Sequence, residues 1–411
     1  MSSQENVFSG IKVVELATYV AAPCAGRYFA DLGASVVKIE GFGGDPLRTT
    51  APSEGRPSDP YEDTTWDLEN AGKKGIALNL KDQAGKDILF RMLDEADIFI
   101  TNWRSDALLR AGLDYETIKV RYPKLIYAHL TGYGELGPDK DLPGFDFTAF
   151  FARGGWLGTL YEKGSDPMNL VAGLGDHQAG LYLSAGIMSS LYKAEKTGQG
   201  EKVTVSLYHC AIYALGLLVQ SAQYGNRYPI NKRDMLNPFM NAFKTSDERL
   251  IQLAMPPYNV FFPKFMEIIG QPELKDDPKY CHFETLGDNS KHIYDLVNDY
   301  MKTKTVAEHK EIFVKEDIPF AIAQLWEEIL EDEQAWANDF LCSLKYDNGN
   351  TRTLLRQPIK FKEMGLPEYT RGPYIGEHSQ EVLMELGYNK KEISALKEKR
   401  IFVEWDDIKK K

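Results

Sequence analysis

The stretch GIKVVELATYVAAPCAGRYFADLGASVVKIE, residues 10 to 40, most constrains the fold. Two β-branched runs, at 11 to 16 and 35 to 39, flank one helix-like segment whose first turn suits Pro23. Strands joined through a single helix run parallel, because the crossover returns the chain to the end of the sheet where it began. The rhythm continues with GIALNL as a strand, QAGKDILFRMLDEA as an amphipathic helix, DIFITNW as a strand and LIYAHLTGYG as another. An α/β fold with a large, mostly parallel sheet is expected. The first β-α turn reads Ala17, Thr18, Tyr19, Val20, Ala21, Ala22, Pro23 and lacks the G-x-G-x-x-G that brings a backbone against a pyrophosphate, so ordinary dinucleotide binding is not expected.

Beyond residue 168, HQAGLYLSAGIMSSLYKAEK predicts a long apolar helix, GQGEKVTVSL a turn and strand, and YHCAIYALGLLVQSAQY a second apolar helix, both buried in the large domain. Residues 224 to 240 turn polar, and FKTSDERLIQLAM then predicts a hairpin opening a smaller α+β domain. GEHSQEVLMELGYNKKEISALKEK predicts two capped helices that pack back on the large domain. The expected division is 1–225 for the N-terminal part of the large α/β domain, 226–335 for the small domain, and 336–411 for a return segment completing the large one.

Across 411 residues the formal net charge is -12, which disfavours nucleic acid as a partner and leaves room only for small anionic ligands in local basic pockets. No run of about 18 apolar residues occurs and the N-terminus shows no basic flank with an apolar core, so a cytoplasmic protein with no membrane contact is expected. Cys24, Cys210, Cys281 and Cys342 are scattered without zinc-site spacing, and no metal is expected.

One stretch concentrates chemistry. GLGDHQAG, residues 173 to 180, sets Asp176 beside His177 among glycines where a helix begins. Adjacent residues point apart, and no second ligand cluster completes a metal site. An acid next to a histidine in sequence also cannot easily orient the ring for a triad, and no G-x-S-x-G is present. Two readings remain open: a helix cap, or a carboxylate nucleophile that the glycines leave approachable.

The ordered set GIKVVELATYVAAPCAGRYFADLGASVVKIE, GGDPLR, NAGKKGIALNLK, ITNWRSDALLRAGLDY, LTGYGELGP, GLGDHQAG, TGQGEKVTVSL and GEHSQEVLMELG resembles the class III CoA-transferase family, the formyl-CoA transferase and carnitine CoA-transferase-like enzymes, from about residue 10 to 390. DPLRTTAPSEGRP, GPDKDLPGFDFTAFFARGG and EDEQAWAND resemble its subgroup acting on phenyllactate or 2-hydroxyisocaproate, which serves amino-acid fermentation, including leucine degradation. The resemblance implies transfer of CoA from an acyl- or 2-enoyl-CoA to an (R)-2-hydroxy acid. It makes Asp176 the nucleophile that forms an aspartyl-CoA thioester, with coenzyme A entering as substrate and no cofactor, and it implies an intertwined homodimer. It places CoA against Val20, Ala21, Lys73, Lys74, Asn102, Trp103, Arg110, Leu130, Thr131, Gly132 and Tyr133.

Departures from the formyl-transferring pattern bear on the substrate. That pattern has Gln, Arg and Lys where this chain has Val20, Gly41 and Thr131, and no tetraglycine loop is present. Phe145, Phe239 and Met240 instead suit a bulkier apolar acyl group, as candidate pocket residues. Acyl-CoA racemases of the same fold resemble G-H-D where this chain has Gly144, Phe145, Asp146, and without that histidine a two-base mechanism lacks a partner. A non-catalytic acyl-CoA-binding protein is the third alternative, opposed by the intact Asp176 motif.

Overall fold

A computed structural model describes residues 6–169 and 171–409. The chain forms two compact units: Met1–Trp156, Asn169–Gln220 and Glu333–Lys411 make the first, and Leu157–Met168 with Ser221–Asp332 the second. The sequence division placed 157–168 in the large domain. The structure places it in the second unit, where the Lys163 N–H donates to the Ile230 carbonyl and the Lys232 N–H to the Glu162 carboxylate.

In the first unit, β1 (Lys12–Leu16), β2 (Ser35–Glu40), β3 (Lys74–Leu78), β4 (Ile98–Thr101), β5 (Ile126–Thr131) and β6 (Lys202–Ser206) form a parallel sheet in the order β3-β2-β1-β4-β5-β6. The short strand Phe402–Val403 adds antiparallel to β3, and Ser379 helps hold it by donating to the Val403 carbonyl. The return segment therefore closes the sheet edge. Helices α1 (Ala21–Asp31), α2 (Thr64–Asn70), α3 (Gln83–Leu93), α4 (Ser105–Ala111) and α5 (Tyr115–Arg121) lie between the strands in sequence.

Both faces of the sheet are covered, which explains why its strands read as near-continuous apolar runs. Alternate residues serve opposite cores: Val13, Ile98 and Ile100 pack with Phe29 and Leu183, while Val14 and Phe99 pack with Ile76, Leu89 and Tyr127.

One polar network crosses this apolar interior. Glu15 on β1 binds Lys38 on β2 at 2.9 Å and Lys73 at 2.7 Å, and all three side chains are fully buried. Lys38 continues to Asp45 at 3.0 Å and donates to the Ala17 carbonyl. Lys73 donates to the Pro23 carbonyl at the start of α1 and to Asn70 Oδ1 at the end of α2. Burial opposes the Lys38 cation, but Glu15, Asp45 and Glu40 outweigh it and raise its pKa; burial wins at Lys73 and pushes it down to about 8. Helix α1 can lie over the network only because residue 26 is glycine, where a Cβ would stand 1.9 Å from Glu15 Oε2.

The long helix α6 (Leu174–Thr197) forms as expected, but the second apolar segment breaks at Leu215 into α7 (Leu207–Ala214) and a short helix, Gly216–Ser221. Neither stretch is buried all round. Leu181, Tyr192, Tyr213 and Leu217 are exposed, the last at 90%. These runs are apolar on more faces than this chain covers.

In the second unit the predicted hairpin is present as β7 (Ala242–Lys244) and β8 (Leu250–Leu253), joined by β9 (Phe320–Ile322) in an antiparallel sheet. Phe239, Phe262, Phe265 and Phe313 fill its core.

Gly26→Ala is expected to lower unfolding free energy by about 3 kcal/mol, because the added methyl displaces a carboxylate that has no other buried partner position. Urea denaturation followed by circular dichroism checks the value.

Candidate active site

The sheet order reverses at β1 and β4, and in open α/β sheets ligands settle outside the carboxyl ends of the strands at such a point. The chain is firmly held there. Asn102, just after β4, accepts from the Thr18 N–H at 3.1 Å and donates to the Thr18 carbonyl at 2.8 Å. Tyr19 stands in a left-handed conformation (φ +62°) that a bulky residue adopts only when its surroundings enforce it, and its N–H is fixed by Asp45 Oδ1 at 3.0 Å. Val20 follows as the residue capping α1. After β5, Gly132 and Gly144 press backbone to backbone, so a Cβ on Gly132 would meet the Gly144 Cα at 2.6 Å.

That contact delivers the wide π-type helical turn Asp146–Ala152 to the start of α6. Asp146 Oδ2 accepts the Gly173 N–H at 2.7 Å. Gly173, at φ +89°, is the residue capping α6, and no side chain within the helix caps it. Asp176 therefore lies in the third helical position rather than at the cap, which removes the cap reading.

The three glycines of the motif also have reasons different from the expected one. Gly173 supplies the left-handed turn. A Cβ on Gly175 would stand 2.3 Å from Phe150 Cγ and 2.4 Å from Asp146 Oδ1, and one on Gly180 would stand 2.9 Å from Cys24 Sγ. They admit neighbours from this chain rather than a substrate.

Asp176 is half-buried in the first turn, where the helix dipole favours an anion. Burial nevertheless pushes its carboxyl up to about 7, reinforced by Asp146 and Glu69 and opposed by His177. Burial likewise raises Asp146 to about 6, against the N–H groups of Gly173 and Gly175. His177 donates Nε2–H to Glu69 Oε1 at 2.8 Å. Burial opposes the imidazolium, but Glu69 outweighs it and raises the His177 pKa. Glu69, on α2, is 2% exposed.

The Cys24 thiol joins Glu69 and His177 with ligand atoms all within 4.8 Å of one another. Burial, then Glu69, drives the thiol pKa up. The trio links α1, α2 and the first turn of α6.

The other expected positions divide. Asn102, Trp103, Thr131, Gly132 and Tyr133 gather at the ends of β4 and β5, with Val20 and Ala21 beside them at the end of β1. Leu130 is 4% exposed and packs in the core. Lys74 is partly exposed and paired with Glu381 and Glu385, and Arg110 is exposed and paired with Asp106. Lys73, expected against CoA, is not available to it, because its ammonium is buried against Glu15. Phe145 is half exposed and meets Tyr19 edge-on, with ring centroids 5.5 Å apart. Phe239 is fully buried and stacked on Tyr258 in the second unit, so it is core rather than pocket wall; Met240 beside it is partly exposed. Glu69 was not anticipated, since a single acid in DLEN has no spacing signal tying it to a residue 108 positions away.

A doubly wound sheet with a carboxylate in the first turn of a helix near its carboxyl edge is an arrangement suited to acyl chemistry. Residues 8–379 match the model of CoA-transferase family III, and the chain belongs to that family. It is 58% identical to the cinnamoyl-CoA:phenyllactate CoA-transferase of Clostridium sporogenes, over 98% of this chain and 99% of that one. It is 43% identical to the (R)-2-hydroxy-4-methylpentanoate CoA-transferase of Clostridioides difficile, over 96% and 99%. A crystal structure of a CaiB/BaiF family protein from Brucella suis superposes with a TM-score of 0.79 at 26% identity, covering 93% of this chain and 100% of that one. The chain is thus a class III CoA-transferase.

Lys73→Met is expected to cost about 3 kcal/mol of stability by stranding half of the buried Glu15 carboxylate. In the folded fraction the KM for the CoA thioester stays unchanged; denaturation and steady-state kinetics on one preparation check both parts.

Proposed function

We propose that the protein moves CoA from an acyl- or 2-enoyl-CoA to an (R)-2-hydroxy acid with an aromatic or branched side chain, such as phenyllactate or 2-hydroxyisocaproate, through a covalent intermediate on Asp176. The observation that carries the reading is a carboxylate in the first turn of α6 that is half-buried and not spent on capping. The two named relatives support the substrate class.

The Asp176 carboxylate attacks the donor thioester carbonyl, and the C–S bond breaks to give a mixed anhydride and CoA thiolate. The thiolate then attacks the aspartyl carbonyl, releasing the donor acid and leaving aspartyl-CoA. The carboxylate of the hydroxy acid attacks this thioester, expels the thiolate again and forms a second anhydride. Return of the thiolate to the substrate carbonyl yields the product and restores Asp176. Each exchange conserves the activated bond as long as water is kept out, and no cofactor is consumed.

Coenzyme A lies, in this reading, across the ends of β1, β4 and β5, against Val20, Ala21, Asn102, Trp103, Thr131, Gly132 and Tyr133, with Lys74 and Arg110 free to exchange their exposed carboxylate partners for phosphates. Phe145, half exposed beside Tyr19, borders the acyl side chain. The protein works as a homodimer in the cytoplasm: the exposed Leu181, Tyr192, Tyr213 and Leu217 form apolar surface that a second copy covers. No described helix is long and apolar enough to cross a membrane.

Asp176→Ala is expected to abolish exchange between cinnamoyl-CoA and phenyllactate while CoA binding persists; retained turnover sinks the assignment. An optically pure 2-hydroxyacyl-CoA incubated alone keeps its chirality, and its loss would instead establish a racemase. Sedimentation is expected to give a dimer, and a monomer at assay concentration would overturn that part.

A further inference from the structure

Asp176 is surrounded by more negative than positive charge. Asp146 of the π-type turn and Glu69 of α2 raise its pKa, His177 of its own helix lowers it, and Asp176 in turn acts on the Cys24 thiol of α1. Lys73, the cation beyond Glu69, is already bound to Glu15, the Pro23 carbonyl and Asn70. Among the described groups acting on Asp176, His177 alone is able to carry positive charge.

Its geometry is fixed. The ring follows Asp176 in the first turn of α6, and the His177 N–H closes that turn on the Gly173 carbonyl at 2.8 Å. Nε2 is held at 2.8 Å by a carboxylate that is 2% exposed, on a helix whose last residue is tied to the Glu15 network. A buried carboxylate is costly without a charged, hydrogen-bonded partner, so the Glu69 position itself favours imidazolium.

We infer that Glu69 and His177 form a positioning pair that holds a fixed imidazolium beside Asp176 and keeps the aspartyl carboxylate anionic for attack on the thioester. The pair touches no reacting atom and transfers no proton; it acts only through Asp176, and the inference rests on the role proposed for that residue. Without the imidazolium, Asp176 faces two acids in a half-buried site and is protonated over more of the neutral range, where it is no nucleophile. The exposed edge of His177 lets the ring exchange protons with solvent, while Glu69 keeps it charged over more of the neutral range.

The full-length protein labelled with 13C at aspartate Cγ tests this, with the Asp176 resonance identified by its loss in Asp176→Asn. In His177→Gln the Asp176 titration midpoint is expected to rise from near 7 by about one unit or more, and His177→Lys is expected to restore it. The acid limb of the exchange rate moves with it, so that rates at the lower end fall about tenfold while the alkaline plateau is kept. In Glu69→Gln the His177 imidazole, followed by 15N resonance, is expected to titrate lower than in the parent. An unchanged Asp176 midpoint in His177→Gln, a loss of rate equal at all pH values, or an unchanged imidazole in Glu69→Gln each overturns the inference. The resonance titrations need no turnover, so a failure of CoA transfer itself would strike the proposed function and leave this measurement readable.

Discussion

The Glu15 carboxylate, held between two buried lysines, is the interaction on which the catalytic edge of the sheet depends. A buried acid with one cation removed is a heavy liability, so the network persists only as a whole. Its members come from β1, β2 and the residue before β3, and its outer bonds reach the start of α1, the end of α2 and, through Asp45, the Tyr19 turn. These strands, helix ends and the Tyr19 turn are therefore referenced to one point inside the core.

This arrangement separates two uses of charge. Lys38 and Lys73 stabilise the scaffold and are sealed from solvent, while Lys74, the next residue, lies at the surface in pairs that cost little to break. The same chain segment thus carries a structural cation and an exchangeable one side by side. Around Asp176 the balance differs: burial, Asp146 and Glu69 raise its basicity, and the imidazole hydrogen-bonded to Glu69 opposes that rise.

The parallel sheet was legible because β-branched runs separated by one helix admit few other solutions, and the 243–255 hairpin because its turn residues are polar between β-prone arms. The resemblance singled out Asp176 where local pattern left cap and nucleophile level; its position in the helix removes the cap reading. What could not be read depends on contacts across long sequence separations. Lys73 looks like any surface lysine until Glu15 is seen beneath it, Phe239 like any pocket aromatic until Tyr258 stacks on it, and Glu69 has no mark in the sequence linking it to His177. The glycines around Asp176 were visible, but their reasons, a turn and two close packings, exist only in three dimensions. The apolar runs of α6 and α7 suggested burial, yet whether a helix face is covered by its own chain or left outward is a tertiary property that periodicity does not carry.

The central claim is that Asp176 becomes covalently acylated or thioesterified during exchange. Turnover with cinnamoyl-CoA and phenyllactate, quenched with hydroxylamine or borohydride and mapped by peptide mass spectrometry, tests it directly. The account predicts a hydroxamate or a reduced side chain at Asp176 that appears only when a CoA thioester is present. Full turnover with Asp176 unmodified, or with the adduct on another residue, would contradict it.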